Sequence, residues 1–332
     1  MPKGLLVVTA TLDPAQFWPA GESDADTVNV LSPSFQYSST GKTQDLKPTH
    51  AFDNAKMKGQ KNTVVYKNKL KIRLQGVDAL ELHFAALLRR KPGVTLKNNG
   101  TKFRQYLGET STVALGTFLK NQMKGTVCRV ETRVDKPGEV YDMYGRFVGD
   151  VFVKTASGWV DINQWLAKNG WAFPTYYNSM SPDEINTIQK LAEAARKAKK
   201  GIWAHETRNT ALWDSKLVYR PKGTPEPAND VGSAMMPKIF RRRTRYEVSR
   251  LNDLPDTSGF FKDYLASLED GWVTRAVFLA NPNMKSAPKG QKNLAPLVDV
   301  HELFADSPGD LVFFEADSKL IGGNGQPVTK WF

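Results

Sequence analysis

Cysteine is all but missing from this chain of 332 residues, with Cys128 standing alone. A single thiol excludes an internal disulfide and any zinc site built on cysteine pairs. Histidine is scarce as well: His50, His83, His205 and His301 lie scattered, without the spacing of a ligand set. Long apolar runs are also absent, and nothing approaches the ~20 residues that a membrane-spanning helix needs. The run Leu5 to Val8, after Met1-Pro-Lys-Gly, is too short for the h-region of a signal peptide, which leaves the compartment open. There is no Gly-x-Ser-x-Gly elbow for a serine hydrolase. "GKT" at 41–43 is not a phosphate-binding loop, because Gln36 stands where the first glycine belongs.

Acidic charge is in short supply. Lysine and arginine number 46 against 34 aspartates and glutamates, a formal net charge of +12. The excess is concentrated: residues 1–205 hold 29 basic and 18 acidic side chains, whereas 206–332 hold 17 and 16. The stretches 56–71 and 89–104 contain nine lysines and three arginines and no acid. Such a field favours a polyanionic partner, and a groove tracking a nucleic-acid backbone is the reading preferred over a merely solvated face.

The length suits two domains. "GLLVVTATL" alternates as a strand, and "FWPAGESDADTVNVL" is an acidic turn leading into a second. Residues 33–62, rich in Ser, Thr, Lys, Asn and Gly, read as an insertion between strands. "TVVYKNKLKIRLQGV" gives two strand runs around Asn68-Lys69, and "TSTVALGTFLKNQM" a helix. "GTVCRVETRVD" and "RFVGDVFVKT" are two more strands, with Cys128 on the core side of the first. "DINQWLAKNG" is a short helix stopped by Gly170. The helix in "SPDEINTIQKLAEAARKAKKGIW" has Ser181 as cap, Pro182 at its first position, Glu184 closing a capping box and Gly201 as stop. Strands followed by packed helices suggest a small barrel. The composition changes after about residue 205, and "RPKGTPEPANDVGS" reads as a linker or long loop. Beyond it "RRRTRYEVSRL", "WVTRAVFLANP" and "GDLVFFEADSKLI" read as strands, with a helix near "SGFFKDYLASLEDG". Residues 206–332 are thus expected to form a C-terminal α+β unit of unknown role. Its basic cluster "FRRRTRY" fits a solvated strand edge or a nucleic-acid contact equally well.

Four blocks, in order, carry a family resemblance: "SDADTV" (23–28), "RLQGVDALE" (73–81), "YGR" (144–146) and "AEAARKAKKGIW". Over residues 4–205 the chain resembles the staphylococcal nuclease-like (thermonuclease) family. The resemblance implies an α+β fold, with an OB-fold five-stranded β-barrel and packed helices in residues 1–205. It also implies a calcium-dependent, sugar-nonspecific endonuclease that hydrolyses DNA and RNA to 3′-phosphate products. Position by position, Asp26, Asp78 and the carbonyl of Ala79 would hold Ca2+. Glu81 would act as general base, Arg73 and Arg146 would grip the phosphate, and Tyr144, Tyr176 or Tyr177 would contact substrate. Asp24 would assist from farther out. The family also implies a secreted or periplasmic location, while the chain's own start leaves the cytoplasm open.

Departures from the pattern are few. Leu80 replaces the proline before the glutamate, and the segment between the first two blocks is longer than in the simplest members. Asn62, in "KNTVV", is the rival to Asp26. The alternative function is a non-catalytic nucleic-acid- or protein-binding scaffold on the same barrel. Such scaffolds tend to lose one or more of the catalytic charges, and this chain keeps Asp26, Arg73, Asp78, Glu81 and Arg146.

Overall fold

Alternation of apolar and polar residues builds the barrel. In strand β1 (Gly4–Leu12), Leu6, Val8, Ala10 and Leu12 all point inward and are buried, while the residues between them face out. The computed structural model describes residues 4–46, 65–66, 68–86, 88, 95–134, 140, 146–177, 180–206, 212–220, 232–254, 259–261, 264, 272–282, 311–313, 320–321 and 327–328.

Strand β2 (Thr27–Ser39) runs antiparallel to β1 and continues into β3 (Lys42–Leu46). The segment from residue 33, expected as the start of an insertion, therefore prolongs the sheet up to Leu46. Phe35 and Tyr37 keep the inward alternation that the surrounding serines obscured. Thr40 and Gly41 both take positive φ, which closes a tight hairpin. Residues 47–62, the rest of the expected insertion, lie outside the described residues.

The short β4 (Val65–Tyr66) pairs with β5 (Lys69–Leu74), which also pairs with β2. β6 (Val77–Ala79) follows at once, and β7 (Phe84–Ala85) pairs with β8 (Lys102–Phe103). Helix α1 (Gly108–Gln122) buries Leu115 and Leu119, then leads into β9 (Met123–Val134) beside β1. β10 (Phe147–Thr155) pairs antiparallel with β9 and parallel with β5. That parallel pairing closes the ring β1–β2–β5–β10–β9, the five-stranded OB-type barrel of an α+β fold. Cys128 is fully buried in it, as expected, and burial pushes its thiol up to about 12.

β11 (Gly158–Asp161) turns into helix α2 (Ile162–Asn169), capped by the Asp161 carboxylate and ended by Gly170 at φ +69°. β12 (Ala172–Pro174) pairs with β6, and β13 (Tyr176–Tyr177) follows. Helix α3 (Pro182–Lys197) carries the expected capping box: Glu184 N–H donates to Ser181 Oγ, and Ser181 N–H donates to Glu184. Its end differs from expectation. Lys199, at φ +49°, takes the left-handed position usual for glycine, and Lys199 and Lys200 N–H close back onto Arg196 and Ala195. Gly201 has a different use, because a Cβ there would lie 2.2 Å from the Gly170 carbonyl, so two helix ends meet at paired glycines.

The C-terminal residues bring the main correction. "RRRTRYEVSRL" belongs mostly to helix α4 (Pro237–Arg250), not a strand. β14 (Trp272–Thr274) is a strand as read, but the chain then turns into the short helix α5 (Arg275–Ala280). β15 (Leu311–Phe313) pairs antiparallel with β14 and parallel with β13. Most of the expected helix near 258–271 lies outside the described residues. α4 and its approach do not stand apart from the barrel. Met235, Met236, Ile239, Phe240, Tyr246 and Val248 share one buried cluster with Leu80, Phe103, Phe173, Ala192, Ile202 and Trp203. Phe278 of α5 reaches the barrel cluster itself.

Candidate active site

β5 and β2 place Arg73 and Thr27 side by side, as register partners. Asp26 immediately precedes Thr27, and its carbonyl accepts the Leu74 N–H at 2.9 Å, which fixes the entry to β2 against the exit of β5. The chain then reverses at Gln75-Gly76, where Gly76 has φ +78° and Met180 lies against the position of a missing Cβ. The reversal brings Asp78 and Ala79 back toward Asp26. Ala79 N–H donates to Asp26 Oδ2 at 2.8 Å, and Thr27 Oγ1 donates to Asp26 Oδ1 at 3.1 Å.

Arg73 joins the two carboxylates. Its Nη2 reaches Asp78 Oδ1 at 2.7 Å, and its Nη1 pairs closely with Asp26 Oδ2. Asp78 is fully buried and Arg73 nearly so. Burial works against the charge on Asp78, but the guanidiniums of Arg241 and Arg73 outweigh it and hold the carboxyl well below the usual range. For Arg73 burial opposes the charge too, and the Asp26 and Asp78 carboxylates reverse that effect, keeping the group firmly ionised.

Glu81 lies just beyond β6, where Gln105 clamps its backbone: Glu81 N–H donates to Gln105 Oε1 at 3.0 Å and Gln105 N–H donates to the Glu81 carbonyl at 2.8 Å. Gln105 Nε2 in turn donates to the Met235 carbonyl at 2.5 Å, which ties this clamp to the approach of α4. The Glu81 carboxyl is pushed up to about 7. Burial is the largest cause, Arg241 partly offsets it, and the neighbouring Asp78, Asp24 and Asp26 push further upward. Asp24 is raised as well, by burial and by Asp26. Arg146, at the mouth of β10, donates to Thr27 Oγ1 at 3.2 Å. Asp26, Arg73, Asp78, Ala79, Glu81 and Arg146 are thus gathered from separate segments around one point of the barrel wall.

The tyrosines divide. Tyr176 is fully buried and its hydroxyl donates to Gln189 at 2.8 Å, so its side chain is committed to the core. Tyr177 is half-buried, with Lys238 Nζ 5.2 Å from its ring centre. Tyr144 and the rival Asn62 lie outside the described residues.

Sequence reading missed Arg241. From α4, its Nη2 reaches Asp78 Oδ2 at 3.0 Å and its Nη1 pairs closely with Glu81 Oε1. "FRRRTRY" was visible as a basic cluster, but as a strand it gave no reason to single out one arginine. Helical spacing puts Arg241 one turn after Pro237, beside the buried Phe240 that anchors it. Among the described residues no three acidic, histidine or cysteine side chains converge as a ready metal shell. The donors offered by Asp26, Asp78 and Ala79 are all oxygens, the ligand type that hard divalent cations take.

The family model for staphylococcal nuclease homologues matches residues 71–205, a stretch that holds Arg73, Asp78, Ala79, Glu81 and Arg146. A probable endonuclease, LCL3 of Komagataella phaffii, is 35% identical over 83 residues, covering 24% of this chain and 35% of that protein. The chain therefore spans about a third of the length of that relative. Asp26 precedes the matched segment; its place in the site rests on its contacts with Ala79 and Arg73.

Proposed function

We propose that the chain is a metal-dependent endonuclease that hydrolyses phosphodiester bonds in both DNA and RNA. The observation that carries this reading is the convergence of Arg73, Asp26, Asp78 and Glu81, drawn from either side of the matched segment's start, with Arg146 one hydroxyl away. In this reading Asp26, Asp78 and the Ala79 carbonyl would hold a calcium ion, a cation that takes oxygen ligands. Bound there, it would supply positive charge opposite the phosphate. Glu81 draws a proton from the attacking water, and a carboxylate with a pKa near neutrality suits that task at physiological pH. Arg73 and Arg146 stabilise the negative charge that builds on the phosphate oxygens, as a forked and permanently charged guanidinium can. Cleavage of the bond to the 5′ oxygen leaves 3′-phosphate ends. The test is digestion of plasmid DNA and of single-stranded RNA in calcium and in chelator, with the product ends mapped. Calcium-dependent cleavage of both to 3′-phosphate ends supports the reading, and intact substrates in calcium, magnesium and manganese refute it.

One observation favours the second reading, a non-catalytic nucleic-acid-binding scaffold. Asp78 and Glu81 are both already paired from within the chain with Arg241. The same assay separates the two, because a scaffold binds nucleic acid and leaves it whole.

A further inference from the structure

We propose that Arg241 is a built-in rival of the divalent cation: helix α4 lays its guanidinium across Asp78 and Glu81, and the cation must displace it to complete the site. This rests on the nuclease reading above and adds a determinant that lies outside the matched segment. The Asp78 carboxylate has both oxygens engaged, Oδ1 by Arg73 at 2.7 Å and Oδ2 by Arg241 at 3.0 Å. A cation that takes Asp78 as ligand therefore competes with a guanidinium for the same oxygens. Glu81 Oε1 pairs with Arg241 Nη1, so one oxygen of the carboxylate that would take a proton from water is held by a cation. The charges agree with such an exchange. Asp24, Asp26, Asp78 and Glu81 face Arg73, Arg146 and Arg241; with Arg241 withdrawn, the formal balance changes from −1 to −2, which a divalent cation neutralises.

The geometry makes Arg241 separable from the helix that carries it. Ile239 and Phe240 lock α4 into the shared core, while the Arg241 side chain keeps 29% of its surface exposed at the end of a flexible stem. Swinging that side chain out therefore leaves the packing of α4 in place. Lys238, itself buried, sits over the Tyr177 ring on the same turn, so the end of α4 nearest the site carries a second positive charge. The helix would then hold the empty site one charge nearer neutrality and release it when the cation and a phosphate arrive together.

The experiment uses the full-length chain and its Arg241→Gln variant, titrated with calcium chloride by calorimetry without nucleic acid. Removing a positive charge from beside the cation site should tighten calcium binding by about tenfold or more. It should also move half-maximal cleavage to a correspondingly lower calcium concentration. In the unmodified chain, calcium should change the hydrogen exchange of the Glu81 region, while the α4 amides anchored by Phe240 stay protected; this arm stands even if the variant fails to fold. Equal calcium affinity in the two folded proteins, with cleavage present in both, would overturn the rivalry alone. Unchanged affinity with cleavage lost in Arg241→Gln would make Arg241 a phosphate grip and overturn it as well. Failure of both proteins to bind calcium, magnesium or manganese and to cleave would remove the nuclease reading together with this inference.

Discussion

At the residue scale the site is a contest between burial and charge, and Glu81 is where burial wins. Its carboxyl sits at about 7, so in the proposed role of base it gains its active form as pH rises through neutrality. Accordingly kcat/KM should climb with pH on a limb centred near 7 and then level; a rate already at its plateau at about pH 5.5 would contradict that role. Asp26 supplies the second test. Asp26→Ala removes a carboxylate that orders Ala79 as well as pairing with Arg73, so the proposed calcium dependence should be lost. Asn62→Ala should leave it intact, and the reverse pattern in calcium titrations would reassign the metal aspartate. Arg73, Asp78 and Glu81 were legible in the sequence because one continuous block, residues 73–81, carries all three. Arg241 and Gln105 were not, since each meets Glu81 only after distant segments have packed together.

At the scale of elements, the legible parts were those whose ends carry their own chemistry. Ser181, Pro182 and Glu184 mark the start of α3 with side chains that bond the local backbone, and the structure forms both halves of the box. Ser181→Ala should therefore cost about 1 kcal/mol, read as a lowered midpoint in urea unfolding, with cleavage per folded molecule unchanged. An unaltered midpoint would mean that tertiary packing alone sets that helix start. α4 was misread as a strand because its arginines conceal the period of its apolar face. Five basic residues between Lys238 and Arg245 leave Ile239, Phe240 and Thr244 as the inward positions, and the stems of Lys238 and Arg243 cover much of the rest. The hairpin from Phe35 to Leu46 was lost for a related reason, with serines and threonines masking an alternation carried by only two aromatic residues.

At the scale of the whole molecule, the charge asymmetry drew a line near residue 205 that the packing does not follow. The barrel's outer helices and α4 share one buried cluster, and Arg220 reaches back to pair with the buried Glu109 at 3.2 Å. Ending the chain at Trp203 would strip Met235, Met236, Ile239 and Phe240 from that cluster, each worth about 2 kcal/mol, together comparable to a domain's whole net stability. The shortened chain should therefore lose its cooperative thermal transition in circular dichroism, and a sharp native-like melt would show that the barrel stands without the C-terminal part. The central claim, that this constellation cleaves phosphodiesters, is tested most directly by Glu81→Gln in the full-length chain, with single-turnover cleavage and DNA affinity measured side by side. Loss of a positioned base should slow cleavage by about 10² to 10⁴ while affinity stays within a fewfold of the unmodified chain. A folded Glu81→Gln protein that cleaves at the unmodified rate would contradict it.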